Sequence, residues 1–399
     1  MNILFYTTFE VSGEKGGTER ITSTIATELR KQYCCHCYSI YRIPIENVFE
    51  CTLFDGKKKL SLKHFTDELR ECIIDWNIEI IINQGAFQYV SSMRKAISGI
   101  GNCHLLTVHH FNPGGELYFK TIRNLIVDIL RKKNILTNFL KILYFPYSKY
   151  RFSKTLHKNY RIAYELSDYV VLLSDKFIPE FMSFAGIKES DKFRYIHNSL
   201  TFDSYFDMNE YHLKRKEVLI VSRLHEAQKR ISLALQIWKE IEQDDLCKDW
   251  ILRIVGHGDR DEITYRDYVK NNHLKRVRFE GAQKPLPYYE NAQIFMLTSL
   301  FEGWGLTLTE AQQNACVPIA FNTYASVSDI ITDGHNGFII KEGDMADYTN
   351  KLKLLMLNDA KRKDMAANAI ALAHRFDKSI IVSQWYQLIH EDLHTGKSI

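Results

Sequence analysis

The fold of this chain is indicated most clearly by residues 292–311, AQIFMLTSLFEGWGLTLTEA. The apolar run at 292–297 is typical of a buried strand, and it ends in small polar residues. A glycine-rich turn follows and leads into a helical pattern. The first turn of a helix leaves backbone N–H groups unpaired, and its dipole favours negative charge. The stretch therefore predicts a strand–turn–helix unit whose turn binds an anion.

Two glutamates, Glu302 and Glu310, stand eight positions apart around this turn. Carboxylates repel phosphate, but they accept hydrogen bonds from hydroxyls, as an acidic residue does for ribose in dinucleotide-binding folds. We expect Glu310 to bind a ribose and Glu302 to bind the group beyond the phosphates. A ligand with hydroxyls at both ends and a diphosphate between them is a nucleotide sugar. The residues expected beside its phosphates are Gly303, Trp304, Gly305, Leu306 and Thr307.

This pattern resembles the Glu–seven residues–Glu signature of family 4 glycosyltransferases, in particular the bacterial cell-surface polysaccharide type. Those are retaining enzymes of the GT-B fold, an α/β fold of two Rossmann-like domains that face a central cleft. The resemblance implies transfer of a sugar from a nucleoside-diphosphate sugar to a glycan or lipid-linked acceptor. A UDP-sugar is favoured as donor and a GDP-sugar is possible. The resemblance also implies that no metal or other cofactor is needed.

The bulk properties of the chain agree with such an enzyme. A chain of 399 residues is too long for one ordinary core, which predicts two domains. Its composition is 45% hydrophobic and 25% charged, with a net charge of only +4, so the whole chain is not a polyelectrolyte binder. The sequence contains no run of about 18 apolar residues, and its N-terminus is typical of a first strand rather than a signal peptide. We expect a cytoplasmic protein with reduced cysteines.

Strand and helix patterns alternate along the chain, which predicts parallel sheets. In the first half, strand patterns fall at 2–8, 34–41, 78–83, 104–108, 169–173 and 193–197. In the second half, they fall at 217–221, 250–255, 276–280, 293–297 and 317–321. The polar, aperiodic segment 201–216 is the expected linker. The predicted domains are 1–205, on the acceptor side, and 206–376, which binds the nucleotide sugar, with a helix in 377–399 that returns to the first domain.

A basic pair follows the first strand of the second domain. Arg223 and Lys229 match the residues that contact the diphosphate in the family, with Arg230 as the alternative to Lys229. Their task is to stabilise the charge that the leaving nucleoside diphosphate gains as the glycosidic bond breaks. Fixed cations can do this without a metal.

Further matches to the family are weaker. His109 is the first residue after the strand pattern 104–108 and matches a histidine that approaches the donor sugar in the family, with His110 as its alternate. Gly16 and Gly17 open the first helix, in a loop that borders the donor phosphate in the family. Gly256 belongs to a Gly-x-Gly turn that family members often carry near the nucleotide.

Two metal-like patterns are less favoured. Residues 259–261, Asp-Arg-Asp, spell the motif of metal-dependent GT-A enzymes, which chelate Mg²⁺ or Mn²⁺ between carboxylates and phosphates. The cationic phosphate contacts elsewhere favour a metal-free site instead. The cluster Cys34-Cys35-His36-Cys37 has no partner pair, and its ligands are too close together to complete a tetrahedron. We therefore expect it to belong to a strand.

The segment 120–161 is basic and aromatic, with eleven lysines and arginines against one acid, Asp128. Ordinary solvated helices intersperse acids, so a binding surface is favoured. An anionic membrane surface fits this composition, and nucleic acid fits less well because the chain carries no nucleic-acid motif. We expect a peripheral protein on the inner face of the cell membrane.

Two other functions share the expected fold. A GT-B sugar-nucleotide epimerase would use the same diphosphate site, and it would form product without an acceptor. A non-catalytic subunit would bind the nucleotide sugar without transferring or hydrolysing the sugar. The nucleotide base, the sugar, the acceptor and the linkage are not specified by the sequence.

Overall fold

The computed structural model describes residues 1–11, 16–44, 53–85, 87–120 and 135–392. The chain divides into two compact units, one of Met1–Thr201 with Asp377–Ile399 and the other of Phe202–Phe376. The division thus falls a few residues before the expected boundary at 205/206. The amide of Phe206 donates to the Gln313 carbonyl, and the Gln313 side chain donates to the Phe202 carbonyl. These bonds fix the start of the second unit.

The first unit is built on a seven-stranded parallel sheet in the order β3-β2-β1-β4-β5-β6-β7. Its strands are β1 (Asn2–Phe9), β2 (His36–Ile43), β3 (Gly56–Lys59), β4 (Ile80–Asn83), β5 (His104–His109), β6 (Tyr169–Leu172) and β7 (Phe193–Tyr195). Its helices include α1 (Gly17–Tyr33), α2 (Phe65–Asp75), α3 (Val90–Ile97), α4 (Ile135–Leu166) and α5 (Phe177–Ala185).

The second unit contains a six-stranded parallel sheet in the order β10-β9-β8-β11-β12-β13. Its strands are β8 (Arg215–Val221), β9 (Ile251–Val255), β10 (Val277–Gly281), β11 (Ala292–Leu297), β12 (Val317–Asn322) and β13 (Phe338–Lys341). Its helices include α6 (Glu226–Lys229), α7 (Ile231–Glu242), α8 (Asp259–Asn271), α9 (Leu286–Asn291), α10 (Leu306–Gln313), α11 (Val327–Ile330), α12 (Met345–Leu357) and α13 (Asp359–Ala373).

The central strand β11 is buried along its whole length, as a strand covered by helices on both faces must be. Every strand expected from the sequence is present, and its ends coincide with the prediction or are shifted by at most two residues. This includes β2, which contains His36 and Cys37 of the cysteine cluster. Cys34 precedes it as the left-handed residue that ends α1.

Two strands, β3 and β13, escaped the sequence analysis. Both are four residues long and lie at the edge of a sheet, where fewer side chains are buried. The sequence of β3 is Gly-Lys-Lys-Lys, and lysines are common on edge strands because they oppose pairing with other chains. The β3 sequence therefore lacks the apolar pattern that reveals a buried strand, whereas β13, Phe-Ile-Ile-Lys, is apolar but only four residues long.

The segment expected to be a linker, 201–216, is packed rather than aperiodic. Met208–Leu213 form a 3₁₀ helix, and β8 already begins at Arg215. The buried Lys214 donates from Nζ to the carbonyls of Tyr289 and Ala292 at 2.8 Å each. The two units divide at the start of this segment, after Thr201, and Lys214, which looks solvated in the sequence, has its charge satisfied inside the second unit.

The C-terminal helix α14 spans Lys378–Gln387 and continues as a π-helix over Leu388–Asp392. It packs within the first unit, where the Tyr386 ring stacks on the Tyr33 ring of α1 with centroids 4.0 Å apart. Trp385 and Ile389 are buried there.

Candidate functional site

The candidate site of the second unit lies where the strand order of its sheet reverses. Successive strands proceed from β8 towards β10 on one side and from β11 towards β13 on the other. The loops that follow β8 and β11 therefore leave the carboxyl edge of the sheet in opposite directions. Ligands of doubly wound sheets bind in the crevice at this point. Both charged motifs of the sequence lie on these two loops.

An ion pair joins the two loops across this point. Lys229 Nζ lies 2.5 Å from Glu302 Oε1, and the two side chains are only 13% and 12% exposed. Arg223 is exposed on the same loop as Lys229, and no ion pair is recorded between it and any residue that the structure describes. The sequence-predicted residues thus bring a lysine and a carboxylate together and leave an arginine facing solvent.

Arg230, the alternative to Lys229, has a different role. Its Nε donates to the Thr298 carbonyl at 2.8 Å, and its Nη2 donates to the Ser299 carbonyl at 3.2 Å. Thr298 Oγ1 in turn donates to the Lys229 carbonyl at 2.9 Å. Arg230 therefore holds the two loops together, while Lys229 pairs with the candidate carboxylate.

The glycine-rich turn leads into α10 as expected. Gly305 has φ +90°, and a side chain there would approach the Tyr324 hydroxyl at 2.9 Å. The partly exposed Leu306 and Thr307 follow in the first turn of α10, whose amides lack partners within the helix. Ser326 Oγ donates to the Gly303 carbonyl at 3.0 Å and fixes the start of the turn. The turn thus places the first amides of α10, which have no partners within the helix, after the carboxyl end of β11.

Trp304 and Glu310, which were expected to contact the nucleotide sugar, are buried. Trp304 packs its ring against Phe376, with centroids 5.1 Å apart, and is a core residue. Glu310 is fully buried inside α10, and its Oε2 accepts a hydrogen bond from the Tyr289 hydroxyl at 3.0 Å. A ribose at Glu310 would have to share the carboxylate with Tyr289.

Gly256 has a structural reason to be glycine. Its φ is +138°, and a Cβ at this position would collide with the Ser222 carbonyl. The loops after β8 and β9 are bonded here, because the Ser222 amide donates to the Val255 carbonyl at 3.0 Å. Gly256 lets the β9 loop lie against the loop that carries Arg223.

Asp261, the last residue of the Asp-x-Asp pattern, binds a backbone amide. The Asp261 carboxylate accepts from the Glu226 amide at 2.9 Å, at the start of α6. The side chains of residues 259 and 260 lie outside what the structure describes. Within the described ranges, no three side chains of His, Cys, Asp or Glu are grouped in a way that could hold a metal ion.

Gly16 and Gly17 stand at the start of α1 in the first unit. Gly16 has φ +77°, and the Glu19 carboxylate occupies the space that a side chain at Gly16 would need. Gly17 is the first residue of α1. The neighbouring residues 12–15 lie outside the described part of the chain.

His109 is the last residue of β5 rather than the first residue after it, and it is 4% exposed. Its Nε2 lies 3.0 Å from the Tyr160 hydroxyl, and its ring packs against Phe87 at 5.0 Å between centroids. Burial, with a smaller contribution from His110, lowers the pKa of His109 to about 3. His110 contacts Gln84 Oε1 through its Nε2, and burial lowers its pKa to about 4. Both histidines are therefore neutral near pH 7.

Sequence reasoning missed Tyr324, which lies beside Gly305. Burial and the charge of Glu302 raise the pKa of Tyr324 well above its usual value. Tyr324 closely follows β12, the neighbour of β11, so its hydroxyl lies at the same sheet edge as the glycine-rich turn. Its position two residues after an apolar strand pattern could have indicated that Tyr324 lies at this sheet edge.

A comparison with protein families matches residues 203–372 to the family model described as "Glycosyl transferases group 1". The amylovoran biosynthesis glycosyltransferase AmsD of Erwinia amylovora is 25% identical over 244 residues, 60% of this chain and 67% of that protein. An uncharacterized glycosyltransferase of Haemophilus influenzae is 22% identical over 94% of this chain and 96% of its own length. The GalNAc-α-(1→4)-GalNAc-α-(1→3)-diNAcBac-PP-undecaprenol α-1,4-N-acetyl-D-galactosaminyltransferase of Campylobacter jejuni is 28% identical over 49% of this chain and 52% of that protein.

Solved structures show the same fold. Anabaena HepE in complex with UDP superposes with a TM-score of 0.71 and 17% identity, over 98% of this chain and 99% of that one. Sucrose-phosphate synthase from Thermosynechococcus elongatus gives a TM-score of 0.75 at 14% identity, over 99% and 100% of the two chains. These likenesses confirm the expected GT-B fold with its parallel sheets and alternating helices.

Proposed function

We propose that this chain, whose residues 203–372 match the model of the group 1 glycosyltransferases, is a retaining enzyme of that kind that uses a nucleoside-diphosphate sugar. The observation that carries this proposal is the Lys229–Glu302 pair at the strand-order reversal, with Arg223 exposed on the same loop. A diphosphate needs cations and backbone N–H groups, and the sugar beyond it needs hydrogen-bond acceptors. This sheet edge carries both kinds of group.

Each residue has a proposed part. Arg223, Lys229 and the amides of residues 305–307 bind the diphosphate, and Glu310 binds the ribose. Glu302, which already holds Lys229, accepts hydrogen bonds from the sugar. His109 of the first unit is a further hydrogen-bond partner of the sugar.

The proposed chemistry is a front-face substitution at the anomeric carbon. The bond from this carbon to the phosphate oxygen breaks as the acceptor hydroxyl oxygen forms the new glycosidic bond. The hydroxyl proton passes to the departing phosphate, and no enzyme nucleophile takes part. The leaving diphosphate gains charge in the transition state, so Arg223 and Lys229 act most strongly there. We propose that these cations make a divalent metal unnecessary.

The donor is proposed to be a UDP-sugar, with a GDP-sugar as the second possibility. HepE, which shares the fold, is known in complex with UDP-glucose as well as with UDP. The acceptor is proposed to be a glycan or a lipid-linked glycan in polysaccharide biosynthesis. The names of AmsD and of the Campylobacter enzyme, which acts on an undecaprenol-linked glycan, support this acceptor class.

We further propose that the enzyme works at the inner face of a membrane, bound peripherally through segment 120–161. Residues 121–134 lie outside the described chain, but α4 supplies the rest. Leu143, Tyr147 and Tyr150 are 63%, 51% and 62% exposed on it. Lys149 and Arg151 stand exposed among them. Apolar and aromatic groups that interleave with bases suit the headgroup region of an anionic bilayer. Among the described residues, no helix is long and apolar enough to cross a membrane.

The two other functions remain testable alternatives. An epimerase would change the donor sugar in the absence of any acceptor, and a non-catalytic subunit would bind the donor and leave it intact. Product analysis of a UDP-sugar incubated with and without a lipid-linked glycan separates all three.

The first test is a thermal-shift panel of UDP, GDP, ADP and NAD, each with Mg²⁺ and with EDTA. A ligand at about 100 times its Kd adds roughly 2.7 kcal/mol to the free energy of unfolding. The expected result is a rise in Tm of about 2–4 °C with UDP, unchanged by EDTA. A rise in Tm with GDP alone would show that the donor carries guanine and not uracil. A rise that needs Mg²⁺ would contradict the metal-free site, and a rise with NAD would overturn the assignment.

A further inference from the structure

A buried hydrogen-bond network joins His109 to two residues outside the donor site. The Tyr160 hydroxyl lies 3.0 Å from His109 Nε2, and it also lies 2.9 and 3.1 Å from the two carboxylate oxygens of Glu116. The Gly114 amide donates to the same hydroxyl at 3.0 Å. Tyr160 comes from α4 and is fully buried, while Glu116 lies in the 3₁₀ turn Gly115–Phe119 after β5. Three separate segments therefore meet at one oxygen atom.

The surrounding rings leave this hydroxyl little freedom. Tyr160 packs against Phe87, Phe181 and Phe184, with ring centroids 4.8–4.9 Å away. An aromatic ring packed on several sides keeps one orientation. The hydroxyl group is thus presented to His109 and Glu116 in a fixed position.

The proton count at Tyr160 decides the state of His109. A phenol hydroxyl donates one hydrogen bond and accepts up to two. The Gly114 N–H takes one acceptor position. An ionised carboxylate only accepts, and a hydrogen bond to a charged acceptor is about twice as strong as a neutral one. The Tyr160 proton therefore goes to Glu116, and the remaining acceptor position receives a proton from His109 Nε2.

We propose that Glu116 and Tyr160 are positioning residues that hold His109 as the neutral imidazole protonated on Nε2. Nδ1 is then an acceptor only, and His109 can receive a hydrogen bond from a hydroxyl of the sugar. The identity of that ligand rests on the proposed function, whereas the tautomer does not. The low pKa of His109 agrees with a neutral ring. Such a ring recognises a hydroxyl and does not protonate the leaving group.

The opposite arrangement is chemically defined as well. Burial raises the pKa of Glu116, and a protonated Glu116 would donate to Tyr160. Tyr160 would then donate to His109 Nε2, and His109 would carry its proton on Nδ1. The two arrangements differ in one observable, the position of the imidazole proton.

The test is a long-range ¹H–¹⁵N spectrum of the full chain labelled on histidine, recorded at pH 7. The His109 signals are those lost in His109→Gln. The expected result is the Nε2–H tautomer, with the preference weakened in Tyr160→Phe. An Nδ1–H or doubly protonated His109 in the wild type would overturn the proposal, as would an unchanged tautomer in a folded Tyr160→Phe. If Tyr160→Phe does not fold, Glu116→Gln takes its place, because a neutral amide accepts the Tyr160 proton less strongly than a carboxylate does and so weakens the preference for Nε2–H on His109.

A second arm tests the sugar contact. UDP-sugars that lack single hydroxyls are compared in the wild type and in His109→Gln by their kcat/KM values. One deoxy donor should lose about tenfold in the wild type and much less in His109→Gln, because a single hydrogen bond is at stake. Equal losses in both proteins for every deoxy donor would remove the sugar contact. Absence of all transfer would overturn the proposed function and leave the tautomer result standing.

Discussion

The two sheets of this molecule share a strand order, but the loops at their reversal points carry different chemistry. In the second unit, the loops after β8 and β11 meet through the Lys229–Glu302 ion pair. In the first unit, the corresponding reversal lies between β1 and β4, and Gln84 follows β4. Gln84 Oε1 contacts His110, whose pKa is lowered to about 4. The reversal loops of the second unit thus form an ionic edge, whereas in the first unit Glu10 after β1 pairs with Lys57 of β3 and the neutral edge is confined to the ends of β4 and β5.

This difference fits a division of labour within a glycosyltransferase. A departing diphosphate needs fixed positive charge, which the second unit places on Lys229 and Arg223. A sugar or glycan is rich in hydroxyls and uncharged, and it is recognised by neutral donors and acceptors. On the proposed function, the same backbone plan serves two ligands because the proposed contact residues lie on loops or at the ends and starts of strands and helices, where side chains vary independently of the sheet core.

The largest expected effect is on the ionic edge. Arg223→Ala should lower kcat by about 10²–10³-fold, because a group that stabilises charge formed in the transition state is removed. The assay is steady-state transfer from a UDP-sugar, with donor KM measured alongside. Lys363→Ala, at an exposed position of α13, is the matched control and should behave as the wild type. Unchanged kcat and KM in Arg223→Ala would contradict the role of Arg223 in stabilising the leaving diphosphate.

Glu310→Ala provides a contrast within the same unit. If Glu310 binds the ribose, its loss weakens the ground state and the transition state alike, so donor KM rises while kcat changes little. The expected rise is about tenfold, since one hydrogen-bonded carboxylate is lost. Tyr289→Phe, which removes only the phenol that bonds Glu310, is the control for local packing. An equal rise in both variants would indicate that burial of Glu310, not ribose binding, is responsible.

The sequence predicts the fold well because the core strands are apolar and the turns carry glycine. Residues 292–311 alone give β11, the turn and α10. The sequence does not decide whether Lys229 or Arg230 faces the site, because both are basic and they are adjacent in the chain. The structure separates them through the left-handed backbone of Arg230, with φ +47°, which ends α6 and directs the two side chains differently. The core position of Trp304 depends on Phe376, 72 residues away in the chain.

The buried, neutral His109 is expected to make the free energy of unfolding fall in acid. His109 has a pKa of about 3 in the folded protein, against about 6.5 in an unfolded chain. Between these values the unfolded state binds the extra proton, so stability falls as pH falls. From pH 7 to 4.5, His109 alone should cost about 2–3 kcal/mol. Urea titrations across this range measure the loss, and His109→Gln should show a flatter dependence. Parallel pH profiles in the two proteins would show that His109 titrates normally when folded.

The smallest effect concerns the exposed surface of α4, which is present only in the first unit. Lys149→Gln should weaken binding to vesicles of phosphatidylglycerol and phosphatidylcholine by about fivefold, because each base near an anionic leaflet contributes about 1 kcal/mol. Lys363→Gln, an equal loss of charge on the second unit, should leave binding unchanged. Sedimentation with vesicles of rising phosphatidylglycerol content measures both, and raised salt should weaken the wild type as well. Equal losses in the two variants would mean that net charge, not α4, drives binding. Binding that does not depend on the phosphatidylglycerol content would indicate that the exposed tyrosines and Leu143, and not the basic residues, make the contact.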